Sequence, residues 1–452
     1  MLFKQYESKG LAHFSYMIAD QGQATVIDPR RDVDIYLRDA AAGGYHIDHV
    51  LETHRNEDYV IGSCELQAAT GAEIFHADGQ MDYKYGSAAE DGQEWRVGRL
   101  MIRAIHTPGH TPGSMSYLLH DPDGNPWIIF TGDALFSGDV GRMDLLGEDR
   151  LEEMAGHMYD SIFNKILPLG DDIIVCPAHG AGSVCGSEIA ERTWTTLGLE
   201  RRLNTKLQVA TKAEFIERNG KMLERPPYFR KMEVLNLEGA PILGRLPELR
   251  PLLAGAFATA AQKSQLVDTR DQVSFGAAHV PGSLSIWDEI LPGFAGWFLT
   301  YDQPVLFVCD PDNSEDILRM MIRIGFDNLS GYLQGGILSW AMAGKALESI
   351  PTLSMAEFCD LMKSETPGFP LDIRSEEEIK GDGFKNGVQI HLTQLLDHLD
   401  AVPRDSKILP LCTSGYRSML AASLLKKEGW EDVALPIGGL AAWQAFGCDF
   451  EL

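Results

Sequence analysis

Positive charge is in short supply: 39 lysines and arginines face 65 aspartates and glutamates, a formal net charge of −26. Such a surface repels nucleic acid and anionic membranes, so neither is an expected partner. Long apolar runs are also missing. No stretch approaches the roughly 18 uninterrupted apolar residues that a membrane span needs, and the opening Met1-Leu2-Phe3-Lys4-Gln5-Tyr6-Glu7 lacks the apolar core of a signal peptide. A soluble, cytoplasmic protein is the expectation. Cysteine is sparse and scattered, with seven residues (64, 176, 185, 309, 359, 412 and 448) and no C-x-x-C spacing. An odd count in a long chain argues against a disulfide framework, so free thiols are expected, most of them small buried hydrophobes.

Length is ample by contrast. At roughly 150 residues per domain, 452 residues suggest about three domains. In the first half, strand-like runs at 24–27, 49–51, 100–105, 127–130 and 173–175 are each followed within four residues by His, Asp or Gly. Rigid scaffolds commonly carry chemistry on loops at strand ends. The second half repeats itself with a period of roughly 100 residues, too long for a solenoid unit and therefore a duplicated domain. One copy reads Leu266-Val267-Asp268-Thr269-Arg270, then 305–309 ending in Cys309, then Gly335-Gly336 and Trp340; the other reads Leu371-Asp372-Ile373-Arg374, then 408–412 ending in Cys412, then Gly438-Gly439 and Trp443. Strands alternate with helical stretches such as 419–428, as in small parallel α/β domains. Proline-bearing polar segments at 244–253 and 346–353 read as linkers, which gives domains at 1–247, 248–346 and 352–452.

Four segments of the first domain fall into one ordered pattern: His54-Arg55-Asn56-Glu57-Asp58-Tyr59, Thr107-Pro108-Gly109-His110, Thr131-Gly132-Asp133 and Pro177-Ala178-His179. This resembles the metallo-β-lactamase superfamily, whose first motif reads H-x-H-x-D-H, over about residues 1–245. The resemblance implies an αββα sandwich. The second histidine of the motif is here Asn56 and the last is Tyr59, so each site of a two-metal member has lost an imidazole. His54, His110 and Asp133 survive. Two neutral imidazoles and one carboxylate suit a single non-haem Fe(II) per chain, with Zn(II) as the alternative. For His49, His106 and His179, a role in satisfying turn carbonyls is at least as good a reading. The retained triad matches the ligand set of persulfide dioxygenases. Gly141-Arg142-Met143-Asp144 resembles their G-R-x-D segment, which implies that Arg142 meets a carboxylate of the thiol carrier; an internal ion pair with Asp144 or Asp139 is the competing role. Residues 180–186, which include Cys185, resemble versions of the family fused to rhodanese domains. A place near the thiol pocket and a buried structural role both stay open for this cysteine.

Cys412-Thr413-Ser414-Gly415-Tyr416-Arg417 follows an apolar strand, precedes a helix and resembles the C-x-x-G-x-R loop of rhodaneses. A loop curling onto a helix N-terminus turns backbone N–H groups inward, and that cradle stabilises a Cys412 thiolate and later a persulfide. Cys412 is thus the expected nucleophile, Arg417 a fixed positive charge, and Thr413, Ser414, Gly415 and Tyr416 the substrate-binding loop. The usual G-H-x-P-G-A is replaced by Gly381-Asp382-Gly383-Phe384-Lys385-Asn386-Gly387, which bears on the local loop conformation. The middle copy keeps His279-Val280-Pro281-Gly282-Ser283, but its loop reads Cys309-Asp310-Pro311-Asp312-Asn313-Ser314, where aspartates oppose a thiolate and Ser314 stands for the arginine. It reads as a structural or docking repeat.

The fold class expected is therefore multidomain α/β: a metallo-β-lactamase αββα sandwich followed by two rhodanese-like domains with small parallel sheets. The resemblances imply oxidation of a low-molecular-weight thiol persulfide by O2 to sulfite, with sulfane sulfur passing through Cys412 to make or use thiosulfate. The carrier, whether of glutathione, coenzyme A or bacillithiol type, stays open, as does assembly into a homo-oligomer. Two rival functions are a zinc thioester hydrolase of the glyoxalase II kind, which usually draws on two metals, and a non-catalytic sulfur carrier or sensor.

Overall fold

The computed structural model describes residues 1–186, 188–379, 384 and 387–448. It divides into two compact units. The first holds Met1–Pro247 with Arg319–Phe326, and the second holds Glu248–Leu318 and Asp327–Leu452.

Two six-stranded sheets build the first unit. One runs in the order Leu2–Ser8, His13–Asp20, Gln23–Ile27, His46–Leu51, Glu73–His76, Ser87–Ala88; the other runs Thr195–Thr196, Ile174–Pro177, Pro126–Gly132, Met115–His120, Leu100–His106, Glu94–Val97. Strand periodicity explains why they stack. Every residue of His13–Asp20 is buried; Phe14, Tyr16 and Ile18 enter the core between the sheets beside Tyr117, Leu119 and Phe130. Met17 and Ala19, on the opposite face, pack with Tyr36 and Ala40 of the helix Asp34–Gly43. In the second sheet Leu118 likewise turns away from the inner core to meet Met154, Ala155 and Met158 of the helix Glu148–Asp160. Alternate residues thus feed the sheet–sheet and sheet–helix layers, an αββα sandwich.

In the second unit, five strands form a fully parallel sheet in the order Pro251–Leu252, Leu329–Leu333, Val305–Val308, Gln265–Asp268, Leu284–Ser285. The last repeat has a parallel three-stranded sheet, Val388–Gln389, Phe369–Asp372, Ile408–Leu411, and a parallel pair, Thr352–Leu353 with Leu435–Pro436. Both Asp-x-Arg segments make the same local clamp: Arg270 forks onto Asp268, and Arg374 onto Asp372. Most of the unusual 381–387 segment lies outside the described residues.

One expectation is corrected. Cys359 and Cys448 form a disulfide across a sequence separation of 89, with Cα atoms 5.8 Å apart; Cys64, Cys176, Cys185, Cys309 and Cys412 are free. The two cysteines meet because the helices Met355–Met362 and Gly439–Phe446 pack together, a proximity that spacing alone does not reveal. Among the described residues no helix is long and apolar enough to cross a membrane.

Candidate active sites

Strand ends bring the first site together. His54 follows His46–Leu51, His110 lies between Leu100–His106 and Met115–His120, Asp133 directly follows Pro126–Gly132, and His179 comes just after Ile174–Pro177. Gly132 makes the approach feasible: at φ +55°, a Cβ there would stand 2.7 Å from both Cβ and Oγ1 of Thr53. His54, His110 and Asp133 are buried and adjacent, with His54 Nε2 3.7 Å and His110 Nε2 3.5 Å from Asp133 Oδ2.

Hydrogen bonds behind the imidazoles decide which nitrogen faces inward. Thr53 Oγ1 gives its only proton to Asp28 Oδ2 (2.7 Å), so at 2.9 Å it must accept from His54 Nδ1–H. Burial pushes the Asp28 carboxyl up to about 7, against the donations from Thr53. The carbonyl oxygen of Arg142 can only accept, so His110 Nδ1–H donates to it at 2.8 Å. In neutral rings both Nε2 atoms then turn lone pairs inward, and His54 Nε2, His110 Nε2 and Asp133 Oδ2 are all buried without a hydrogen-bond partner. Converging orphaned donors of this kind fit a metal ion, and two imidazoles with one carboxylate suit iron(II) or zinc. Burial opposes ionisation of Asp133, but His179, His54 and His110 hold its carboxyl well below the usual range.

Neighbouring groups bear on the second metal position of two-metal relatives. Asn56 turns its amide onto the His54 carbonyl, and Tyr59 packs its buried ring on His13 at 3.9 Å. His179 does more than satisfy a turn: Nδ1–H donates to Asp133 Oδ1 at 2.7 Å and Nε2 lies 2.9 Å from Asp58 Oδ2. Burial disfavours its charge, yet Asp133 and Asp58 raise its pKa well above that of free histidine. His106, by contrast, turns its ring to the Pro112 carbonyl. Cys185 is buried with its sulfur within 4.8 Å of ligand atoms of His110 and Asp133, and burial, aided by Asp58, Asp133 and Glu57, pushes its thiol well up.

Arg142, for which the resemblance implies contact with a carrier carboxylate, lies in an internal network. It is buried, forks onto Asp144 at 2.7 and 2.8 Å, and spends its remaining donors on the carbonyls of Val184, Leu223 and Glu224. All five N–H groups are engaged, so the internal ion pair is the arrangement observed and no donor is spare for a carrier carboxylate.

The second site surrounds Cys412 at the end of Ile408–Leu411, where the helix Tyr416–Lys427 begins. The N–H of Gly415 points at the buried Cys412 sulfur from 3.1 Å, and Arg417 couples to that sulfur while forking onto Glu378 at 2.6 and 2.8 Å. Arg417 holds the Glu378 carboxyl down at about 2 against burial. The loop carbonyls of Cys412 and Thr413 accept from Leu440 and Ala441 at the start of Gly439–Phe446. Gly415 has φ +96°, and a Cβ would stand 2.2 Å from Gln272 Oε1 of the middle repeat, whose Nε2 donates to the Ser414 carbonyl. Trp287, also from that repeat, stacks on Tyr416 at 3.8 Å. Around Cys309 a cavity of about 590 Å³ is lined by Arg270, Asp271, Trp287, Asp288 and Asp310. Burial, then Asp268, Asp310 and Asp288, pushes the Cys309 thiol up to about 12.

Two family models match separate parts of the chain. The metallo-beta-lactamase superfamily matches residues 9–179, and the rhodanese-like domain matches twice, at 254–343 and 354–446. The chain is 29% identical over 218 residues to persulfide dioxygenase ETHE1, mitochondrial, of Homo sapiens, covering 46% of this chain and 76% of that one. It is 34% identical over 160 residues to a hydroxyacylglutathione hydrolase of Rhodospirillum rubrum, covering 35% of this chain and 57% of that one. A metallo-beta-lactamase structure from Staphylococcus aureus subsp. aureus COL superposes with a TM-score of 0.66 at 30% identity, over 74% of this chain and 98% of that one. With the sandwich, its ligand cluster and the two repeats in place, the chain belongs to the metallo-beta-lactamase superfamily and carries two rhodanese-like domains after the superfamily domain.

Proposed function

We propose that the chain oxidises a low-molecular-weight thiol persulfide with O2 at one iron(II) held by His54, His110 and Asp133, and that Cys412 transfers sulfane sulfur. The balance is RSSH + O2 + H2O → RSH + sulfite + 2H⁺. The observation that carries this reading is the set of buried donors without hydrogen-bond partners at His54 Nε2, His110 Nε2 and Asp133 Oδ2, in a chain whose second-metal motif has Asn56 and Tyr59 in place of imidazoles. The likeness to the human persulfide dioxygenase supports the same reading.

When bound, the iron supplies the redox centre at which O2 reacts with sulfane sulfur. The protein's own groups prepare that centre. The Asp28–Thr53 and Arg142 carbonyl contacts fix the two imidazole tautomers, His179 holds one oxygen of Asp133 so that the other faces the donors, and complete burial excludes bulk water from these side chains. At the second site, the Cys412 thiolate attacks the sulfane sulfur of thiosulfate, releasing sulfite and leaving a Cys412 persulfide. The reverse transfers that sulfur to sulfite. Gly415 N–H and Arg417 face the charge that moves on and off the sulfur.

The likeness to hydroxyacylglutathione hydrolase supports a second reading, thioester hydrolysis at zinc. Element analysis of anaerobically purified protein, with an oxygen electrode and a thioester assay, separates them. One iron per chain with persulfide-dependent O2 uptake is expected. Zinc with thioester cleavage would overturn the proposal, and neither activity would leave a sulfur carrier.

A further inference from the structure

Glu57 lies at a variable position of the H-x-H-x-D-H pattern, yet it is buried beside the three donors. Its two oxygens have different surroundings. Oε1 accepts from Arg55 Nη2 at 2.8 Å, and the same nitrogen reaches Glu233 at 3.0 Å, which anchors the carboxylate from behind. Oε2 has no hydrogen-bond partner, is buried, and stands 3.5 Å from His110 Nε2. The ligand atoms of His54, Glu57 and His110 all lie within 4.8 Å of one another.

With His110 Nδ1–H committed to the Arg142 carbonyl, a neutral ring offers Glu57 only a lone pair. Glu57 Oε2 then faces the nitrogens of His54 and His110, and Asp133 Oδ2 approaches the same His110 nitrogen, so that a cation among them relieves their repulsion. Ligand atoms about 2.1 Å from one ion stand about 3–3.5 Å apart, close to the 3.5 Å separations of His110 Nε2 from Asp133 and from Glu57. The Arg55 contact gives the carboxylate a fixed aim, as supporting shells of metal ligands commonly do.

We propose that Glu57 is a fourth protein ligand, so that the metal is held by two imidazoles and two carboxylates, whose charges balance a divalent ion. This rests on the metal reading above. It separates this chain from a plain three-ligand site, and it binds the loop 55–58 to the metal through a residue that the superfamily pattern leaves unspecified.

The test is metal binding by the full chain, freed of metal with a chelator, titrated anaerobically with iron(II) or cobalt(II) against a chromogenic competitor, with Tm recorded before and after loading. Loss of a ligand exceeds loss of an outer-shell partner, so Glu57→Gln is expected to weaken binding by more than about 100-fold. Its metal-free Tm should equal or exceed that of the wild type, because one of two crowded carboxylates is neutralised, and the metal-induced rise in Tm should shrink. Affinity within about twofold of wild type would overturn the proposal, as would a lower metal-free Tm with unchanged affinity, which marks a purely structural partner of Arg55. Asp133→Asn is the control: if it too binds as wild type, the metal reading itself has failed, whereas metal loss there alone refutes only the role of Glu57. Should Glu57→Gln not fold, Glu57→Asp keeps the charge but retracts it by one methylene, and its affinity decides by the same criterion.

Discussion

At His54 a single proton sets the chemistry of the ring. Thr53 Oγ1 gives its hydrogen to Asp28, so the Nδ1–H of His54 is retained and Nε2 is presented bare. Thr53→Val keeps the volume and removes the relay. Metal affinity should fall about 10–100-fold, read by chelator competition, without loss of fold. His110→Ala or Asp133→Ala removes a ligand and should abolish stoichiometric metal in element analysis. Glu52, beside this loop, titrates in an accessible range: burial, and then Asp28 and Asp78, push its carboxyl from 4.5 to about 8 against hydrogen bonds from Ser63 and Tyr85. A raised carboxyl means that the folded state holds its proton more tightly, so this contribution to stability is complete below about pH 4.5 and lost as pH rises through about 8. Glu52→Gln in the metal-free protein should raise Tm at about pH 9 and change it little at about pH 5. An equal gain at both would show that ionisation is not the cause. The roles of Asp28, Thr53 and Glu57 are not legible in the sequence, because hydrogen-bond direction and burial depend on residues brought in from elsewhere in the chain.

Among the elements, the two Cys-ended strands share a scaffold and differ in the turn that each one enters. Val305–Val308 leads into a 3-10 turn whose Asp310 caps its own backbone, whereas Ile408–Leu411 leads into a left-handed Gly415 that aims its N–H at sulfur. The sequence sets Asp310 and Asp312 against a Cys309 thiolate. Asp310 contributes, but the other carboxylates are Asp268 and Asp288, and burial outweighs all of them. With a thiol at about 12, roughly one Cys309 in 10⁴ is ionised at about pH 8. Iodoacetamide followed by mass spectrometry should label Cys412 ahead of Cys309. Cys412→Ser should eliminate thiosulfate:thiol sulfur transfer and spare persulfide-dependent O2 uptake, while Cys309→Ser changes neither. Labelling in the opposite order would reverse the roles of the repeats. Gly415→Ala forces a Cβ onto Gln272 at positive φ, a cost of about 1–3 kcal/mol, and should lower both sulfur transfer and the unfolding midpoint. Arg142 belongs at this scale too, since it ties the 141–144 segment to 223–224. Arg142→Ala leaves Asp144 buried without its counter-charge and should cost about 3–5 kcal/mol in denaturant unfolding; a raised KM at unchanged stability would restore the carboxylate clamp.

For the molecule as a whole, the disulfide closes the last repeat. Cys359 and Cys448 bound a separation of 89 residues, and constraining the unfolded chain to that extent stabilises by about 4–5 kcal/mol. Reduction, or Cys448→Ser, should lower the melting transition of that repeat and leave metal-dependent stabilisation of the sandwich unchanged. The sequence by itself determined the order of the domains, the duplication, the strand ends that carry His54, His110, Asp133 and Cys412, and the loss of imidazoles at Asn56 and Tyr59, because each of these is written in local spacing. Only the tertiary structure decided that His179 bridges Asp58 and Asp133, that Arg142 is consumed internally, that Glu57 turns toward the metal ligands and that two distant cysteines meet. The physical reason is that these outcomes depend on which buried polar atoms find partners. That is settled when segments tens to more than a hundred residues apart pack together; even for Arg142, whose Asp144 partner is local, the carbonyls that take its remaining donors lie 42 to 82 residues away.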